Sequence, residues 1–318
     1  MIDTIKTTTL IFIFCLAANC TITFAQSTNH QNVDTIVANH QVTNQPISYF
    51  KFDANYTNNS VYLGRADSLT QPYFSPTLEY YNKRGVYCSA SLGFLTSKNS
   101  KTLDYISIDA GYEFNINDKL SGSILANKSF YKTESNNISS DIAASIAGNM
   151  NYNYGFIELN SGISFSFANK TDIGVYATVS HSFFLGKDQQ LWTISPTATA
   201  NFSTLHFYEG YTSRSFGNRQ IFLNPNIQSI TSITKVQQNK LTLMDFEVLT
   251  SISYDEKNWG IYFNPTLAIP INPINTTTKS VIKLKNGNSN TFERDSTPAS
   301  EKNLSNRMYM DIGFYFKF

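Results

Sequence analysis

From residue 47 onward, apolar and polar side chains take alternate positions. The clearest stretch is 104–115. There Ile106, Ile108, Ala110, Tyr112 and Phe114 share one parity, and Ser107, Asp109, Gly111 and Glu113 share the other. Successive side chains of an extended strand point to opposite faces, so this period of two predicts a strand with one greasy and one wettable face. The same alternation runs through 155–167, where Ile157, Leu159, Ile163, Phe165 and Phe167 oppose Glu158, Asn160, Ser164 and Ser166. It is expected again over 47–56, 73–82, 85–95, 119–130, 140–152, 172–185, 191–204, 242–254, 259–271 and 305–318. Segment 191–204 carries Pro196. The parity predicts Ile142 outward on 140–152, and Met244 and Phe246 outward on 242–254. The reading is about twelve strands of roughly ten to fourteen residues, long enough to cross a bilayer at a tilt.

The connections add a second pattern. Links 82–85, 115–118, 152–155, 185–190 and 255–258 are short and polar, and they fall at every second connection. Between them lie the long links 57–72, 205–241 and 272–304, with 168–171 as a short exception. Membrane barrels keep short turns on the periplasmic side and long loops outside. Both ends of the barrel region, 47–318, are therefore expected in the periplasm, which requires an even strand number. An edge left unpaired in lipid exposes backbone donors and acceptors, so such a sheet is expected to close on itself. The competing architecture is a soluble sandwich, which hides its apolar faces between two sheets and favours shorter strands.

The chain starts with a weakly basic segment holding Lys6, followed by an apolar run over 9–18 too short to span a membrane. Residues 1–25 read as a signal peptide cut after Ala25. A lipobox reading ending on Cys20 competes, with Asn19 a poor fit before it. Residues 26–46 are polar and aperiodic and read as a mobile periplasmic tail. Cleavage at Ala25 would leave Cys88 alone, which excludes an intrachain disulfide framework. Mean hydropathy is −0.24 and charged residues make up 15%, although Tyr and Phe number 19 and 24. A slightly polar average is expected when half of every strand faces water. The net charge of +1 gives no reason to expect nucleic acid as a partner.

The last segment carries Met308, Met310, Ile312, Phe314, Phe316 and Phe318 on one parity. It resembles the closing strand of bacterial outer-membrane β-barrel proteins. That resemblance implies an all-β, single-chain antiparallel transmembrane barrel. It also implies outer-membrane lipid and the barrel-assembly machinery as partners, with Phe314, Phe316 and Phe318 as the assembly signal. The Asn-rich strands and loops are similar to barrels of Bacteroidetes-type bacteria.

The polar parity assigns Asp53, Glu79, Asp109, Glu113, Glu158, Asp245, Glu247 and Asp311 to the lumen, against Lys51, Lys119 and Lys317. An acidic lining favours cations, so the leading expectation is a narrow, cation-preferring channel for small solutes. The alternative is a plugged structural or binding barrel. Its carboxylates would pair with lumen lysines, tyrosines or loop arginines such as Arg65, and its loops 205–241 and 272–304 would meet a partner or a surface glycan. A hydrolase is the least favoured class. His181 lies on the outward parity beside Ser180 and Ser182, which point the other way. His206 and Glu209 would need Ser203 or Asp245 within hydrogen-bond reach. No phosphate-binding glycine loop, metal-ligand cluster or calcium loop stands in the sequence, and no cofactor is expected.

Overall fold

A computed structural model describes residues 47–66, 70–97, 100–132, 135, 137–187, 190–209, 227–237 and 240–318. The expected signal peptide 1–25 and tail 26–46 lie outside the described residues. Alternating aromatic, β-branched and small polar residues suit a pleated wall that is wet on one side only. They form β1 (Tyr49–Thr57), β2 (Tyr73–Tyr81), β3 (Val86–Ser97), β4 (Ser100–Asn117) and β5 (Leu120–Tyr131). The chain continues through β6 (Ala144–Asn153), β7 (Glu158–Phe167), β8 (Thr171–Ser180), β9 (Phe183–Lys187) and β10 (Gln190–Ser203). The remaining strands are β11 (Ile227–Val236), β12 (Thr242–Asp255), β13 (Trp259–Pro270), β14 (Thr276–Leu284), β15 (Ser289–Asp295) and β16 (Arg307–Lys317).

Antiparallel pairing runs β1 to β8 in chain order, then to β10, β12, β13 and β16. β16 pairs back onto β1, with Phe52 opposite Phe316 and Ala54 opposite Phe314. The sheet is therefore a closed barrel of twelve staves. β8 and β9 belong to one stave. Ser180 faces Thr197 and Phe183 faces Ile194 in a single register, interrupted opposite Pro196. Proline has no N–H to give the ladder there, while its carbonyl still accepts from the His181 N–H at 3.2 Å.

The outside of the wall is apolar. Ile108, Ile124, Ile163, Val248, Ile261 and Ile312 are all exposed, although each sits in mid-strand. Cys88 shares this outer face. No described helix is long and apolar enough to cross a membrane. At the short-turn end the outer face carries packed rings. Phe50 meets Tyr80 at 4.9 Å, Trp192 meets Tyr254 at 5.0 Å, and Tyr254 meets Trp259 at 5.8 Å. Such aromatic girdles mark the boundary between hydrocarbon and headgroups.

Inward positions are polar or small. Several inward tyrosines lie directly across the ladder from a glycine: Tyr87 from Gly111, Tyr105 from Gly93, Tyr176 from Gly162, and Tyr262 from Gly313. A Cβ on any of these glycines would meet the ring at 2.0–2.5 Å. The glycine is thus the space in which the ring lies flat against the wall.

Two β-bulges alter the expected parity. One makes Asp104 the extra residue of β4 opposite Gly93 and Phe94, so Asp104 and Tyr105 both turn inward. The other makes Met244 the extra residue of β12 opposite Asn201 and Phe202. Met244 is fully buried, and the outward placement expected for it is corrected by that inserted residue. Ile142 is likewise corrected: β6 starts at Ala144, and Ile142 is buried in the connection before it.

The long connections also differ from expectation. Instead of plain loops, 205–241 and 272–304 contribute β11, β14 and β15, which form a separate three-stranded sheet, and a one-turn helix Ala299–Lys302. The largest apolar cluster sits at this long-loop end. It joins Ile138, Ile142, Leu205, Phe207, Tyr208, Val236, Met244 and Ile274.

Candidate functional site

The candidate site is the inner wall and the packed mouth above it. Asp53 accepts a hydrogen bond from the Tyr262 hydroxyl at 3.1 Å. Glu113 accepts from Tyr81 at 2.5 Å, and Glu247 from Tyr309 at 3.3 Å. Asp109 accepts from Ser89 at 3.1 Å and from Asn127. Asp311 accepts from Thr57. Glu79 stands across the ladder from Lys51, and Glu158 opens β7 opposite Ser180. Lys317 lies over the rings of Tyr49 and Tyr315, at 5.6 and 5.1 Å. Lys119 does not join them. It occupies the exposed turn between β4 and β5, outside the ladder, and its assignment to the lumen is corrected.

Sequence parity missed further inward carboxylates. Asp104 accepts from Tyr73 at 2.7 Å and Ser135 at 2.8 Å, and Asp255 accepts from Tyr315 and Ser253. Asp104 was hidden by its bulge, and Asp255 by its place at a strand end. The recurring partner of these carboxylates is a phenol. A phenol solvates a carboxylate without cancelling its charge. The opposite side of the wall, from β6 to β10, is uncharged in its middle, with Asn149, Asn160, Ser164, Thr178 and Thr197 facing in.

Above this wall the connections converge. In 58–66, Tyr62 and Arg65 exchange backbone hydrogen bonds at 2.7 and 2.9 Å. Leu63 and Gly64 at the tip have φ of 49° and 73°, a left-handed pair of the kind that closes a two-residue turn. The turn drives Arg65 into the protein, where it is 4% exposed. Its guanidinium donates to the carbonyls of Leu63, Met244 (3.1 Å) and Asn272, and its Nε lies 3.6 Å from Glu301 Oε1. Burial lowers the Arg65 pKa from its ordinary value, while Glu301 and Asp245 act in the opposite direction. Glu301 is itself 2% exposed and accepts from the Ile274 N–H at 2.8 Å and the Tyr208 hydroxyl at 3.4 Å. Tyr62 packs edge-on against Phe207 at 5.2 Å, and its burial raises its pKa. Val61 and Ala66 pack on Ala268 and Tyr309.

The neighbouring connection is held by Asp172. Its carboxylate accepts from the Thr204 hydroxyl and from the N–H groups of His206 and Phe207, each at 2.7 Å. Those N–H groups open a helical turn, so Asp172 caps it from another strand. His206 Nδ1 lies 4.0 Å from Glu209 Oε1 and has no hydrogen-bond partner. The Ser203 hydroxyl donates to the Thr204 carbonyl. Glu209 is taken up by Lys170 at 2.9 Å and the Val236 N–H at 3.1 Å. The Ser–His–carboxylate arrangement required of a hydrolase is not assembled among these residues. His181 contacts the Phe156 carbonyl and the Phe183 ring, on the outer face.

No family model matches the chain. No curated protein matches it either. Solved structures similar in shape include the KdgM porin, at TM-score 0.42 and 10% identity over 84% of this chain and 99% of that one. The NanC porin aligns at TM-score 0.41 and 8% identity, over 85% of this chain and 100% of that one. LpxR from Salmonella typhimurium aligns at 0.42 and 8%, over 84% and 100%. The assignment itself stands on the chain's own geometry. A sheet whose last stave pairs with its first, polar within and apolar without, makes this chain a twelve-stranded antiparallel transmembrane β-barrel.

Proposed function

We propose that the chain is a narrow bacterial outer-membrane channel for small solutes, with an acidic, cation-preferring lumen. The observation that carries this reading is the chemistry of the inner carboxylates. Asp53, Asp104, Glu113 and Asp255 are hydrogen-bonded to phenols. A plugged barrel would use tyrosine partners too, but a phenol, unlike a lysine or arginine, leaves the carboxylate its charge. Among the described residues, inward cationic side chains on the staves are Lys51, Arg307 and Lys317, fewer than the carboxylates around them. A low-dielectric wall carrying one sign of charge concentrates counter-ions along the axis. Export by the N-terminal signal with cleavage after Ala25, periplasmic termini, delivery by the barrel-assembly machinery and a Bacteroidetes-type source complete the proposal.

The test is planar-bilayer conductance of the purified, refolded protein under a salt gradient. The reversal potential should move toward that of the cation, and Glu113→Gln with Glu79→Gln should shift it back. Anion preference would refute the acidic lumen. A second reading, a plugged barrel that presents its outer segments to a partner or glycan, is favoured by the packed mouth around Arg65 and Glu301. Complete absence of current at every voltage, in a protein shown to be folded, would select it.

A further inference from the structure

The mouth holds an arginine in an unusual setting. Three backbone carbonyls and one carboxylate surround the Arg65 guanidinium, and they come from three separate stretches of chain besides its own turn. One of them exists because of the bulge at Met244, whose carbonyl accepts both from the Ile271 N–H and from Arg65. Under the tip of the turn lies Asp245, with no exposed surface. A Cβ at Gly64 would stand 3.2 Å from its Oδ2. Neither oxygen of Asp245 meets a donor in good geometry, and its neighbours are Asn201 and Glu247. The segment 61–66 is held to the barrel by this guanidinium, by Tyr62 and Leu63 against the apolar cluster of the mouth, and by Val61 and Ala66 on Ala268 and Tyr309. The base of its loop is closed separately, by Ser60 and Gln71 at 3.0 Å. Leu63, a non-glycine residue at positive φ, sits in a conformation that costs free energy and needs support from its surroundings.

We propose that segment 61–66 is a displaceable internal stopper, and that the seat filled by Arg65 receives a small guanidinium-bearing solute once the stopper swings out. The proposal rests on the channel reading and names the class of cation. A planar fork of N–H donors fits carbonyl and carboxylate acceptors spread around its edge. A quaternary ammonium ion offers the same charge and no donors, so the seat should tell the two apart. Arg65 then acts as a tethered stand-in for the solute, and solute and stopper compete for Glu301 and for the Met244 and Asn272 carbonyls, with the buried Asp245 close by.

The experiment uses the full refolded chain in planar bilayers with potassium chloride, comparing wild type with Arg65→Gln and Arg65→Lys. Arg65→Gln should raise the open fraction several-fold, and Arg65→Lys, which keeps the charge and loses the fork, should fall between. In the open Arg65→Gln protein, methylguanidinium should block current at about one-tenth the concentration needed for tetramethylammonium. Adding Asp245→Asn should erase that difference. Equal gating of wild type and Arg65→Gln, or equal block by the two cations, overturns the proposal. Heat-modified gel mobility reports whether each barrel is closed. Should Arg65→Gln fail to fold, Glu301→Gln releases the same ion pair with the arginine intact and must show the same rise in open fraction. Cation preference with unchanged gating defeats the stopper alone. Anion preference defeats the acidic lumen, and the open fraction still decides the stopper.

Discussion

At the scale of single residues, the inner wall is built from small-against-large pairs. Gly313 lies across from Tyr262, whose hydroxyl reaches Asp53. A methyl group at 313 would fall 2.2 Å from the ring and push the phenol off its carboxylate. Gly313→Ala should therefore destabilise the barrel by about 1–3 kcal/mol, the usual cost of overpacking. Urea unfolding in lipid vesicles measures it, and Tyr262→Ala in the same protein should remove most of the penalty. The sequence showed both residues on the inward parity but not their pairing, because register depends on where each strand meets its neighbour. The same limit hid Asp172. An aspartate next to a turn reads as solvated loop, and its three donors come from 32 to 35 residues further along.

At the scale of elements, the alternation was legible along most strands because a wall between two media imposes it on every stave; a sandwich alternates too, and strand length set the two apart. Ile108 is 50% exposed on the outer face of β4, and Ser164 faces inward on β7. Ile108→Arg should cost about 2–4 kcal/mol where the site lies near mid-membrane, while Ser164→Arg should cost far less. Equal unfolding free energies for the two variants would contradict the assignment of the faces. What alternation could not reveal were its two slips. An inserted residue at Asp104 or Met244 leaves the composition of a strand unchanged and inverts the facing of what lies beyond it. Both slips lie toward the long-loop end, and both feed the mouth, one with a carboxylate and the other with the carbonyl that holds Arg65.

At the scale of the whole molecule, the stave count and the closure were legible, whereas the folding of the long connections was not. Arg65 and Glu301 are 236 positions apart in the chain, and a loop arginine carries no local sign that it will be buried. The small sheet of β11, β14 and β15 stands at the same end as the mouth and sets the expected orientation. An epitope inserted at Gly287, in the turn between β14 and β15, should bind antibody on intact cells. One inserted at Gly155, in a short turn at the other end, should bind only after the outer membrane is opened. The reverse pattern would place the chain ends outside. Finally, the seam between β1 and β16 carries a cost in time. Thr57 cannot find Asp311 until nearly everything between them has been laid down, and contacts this distant in sequence form slowly. Until then the nascent sheet has two bare margins of matching register. A crowded membrane gives each margin the chance to zip onto the complementary margin of a sister molecule, so interlocked pairs are the misassembly this architecture invites.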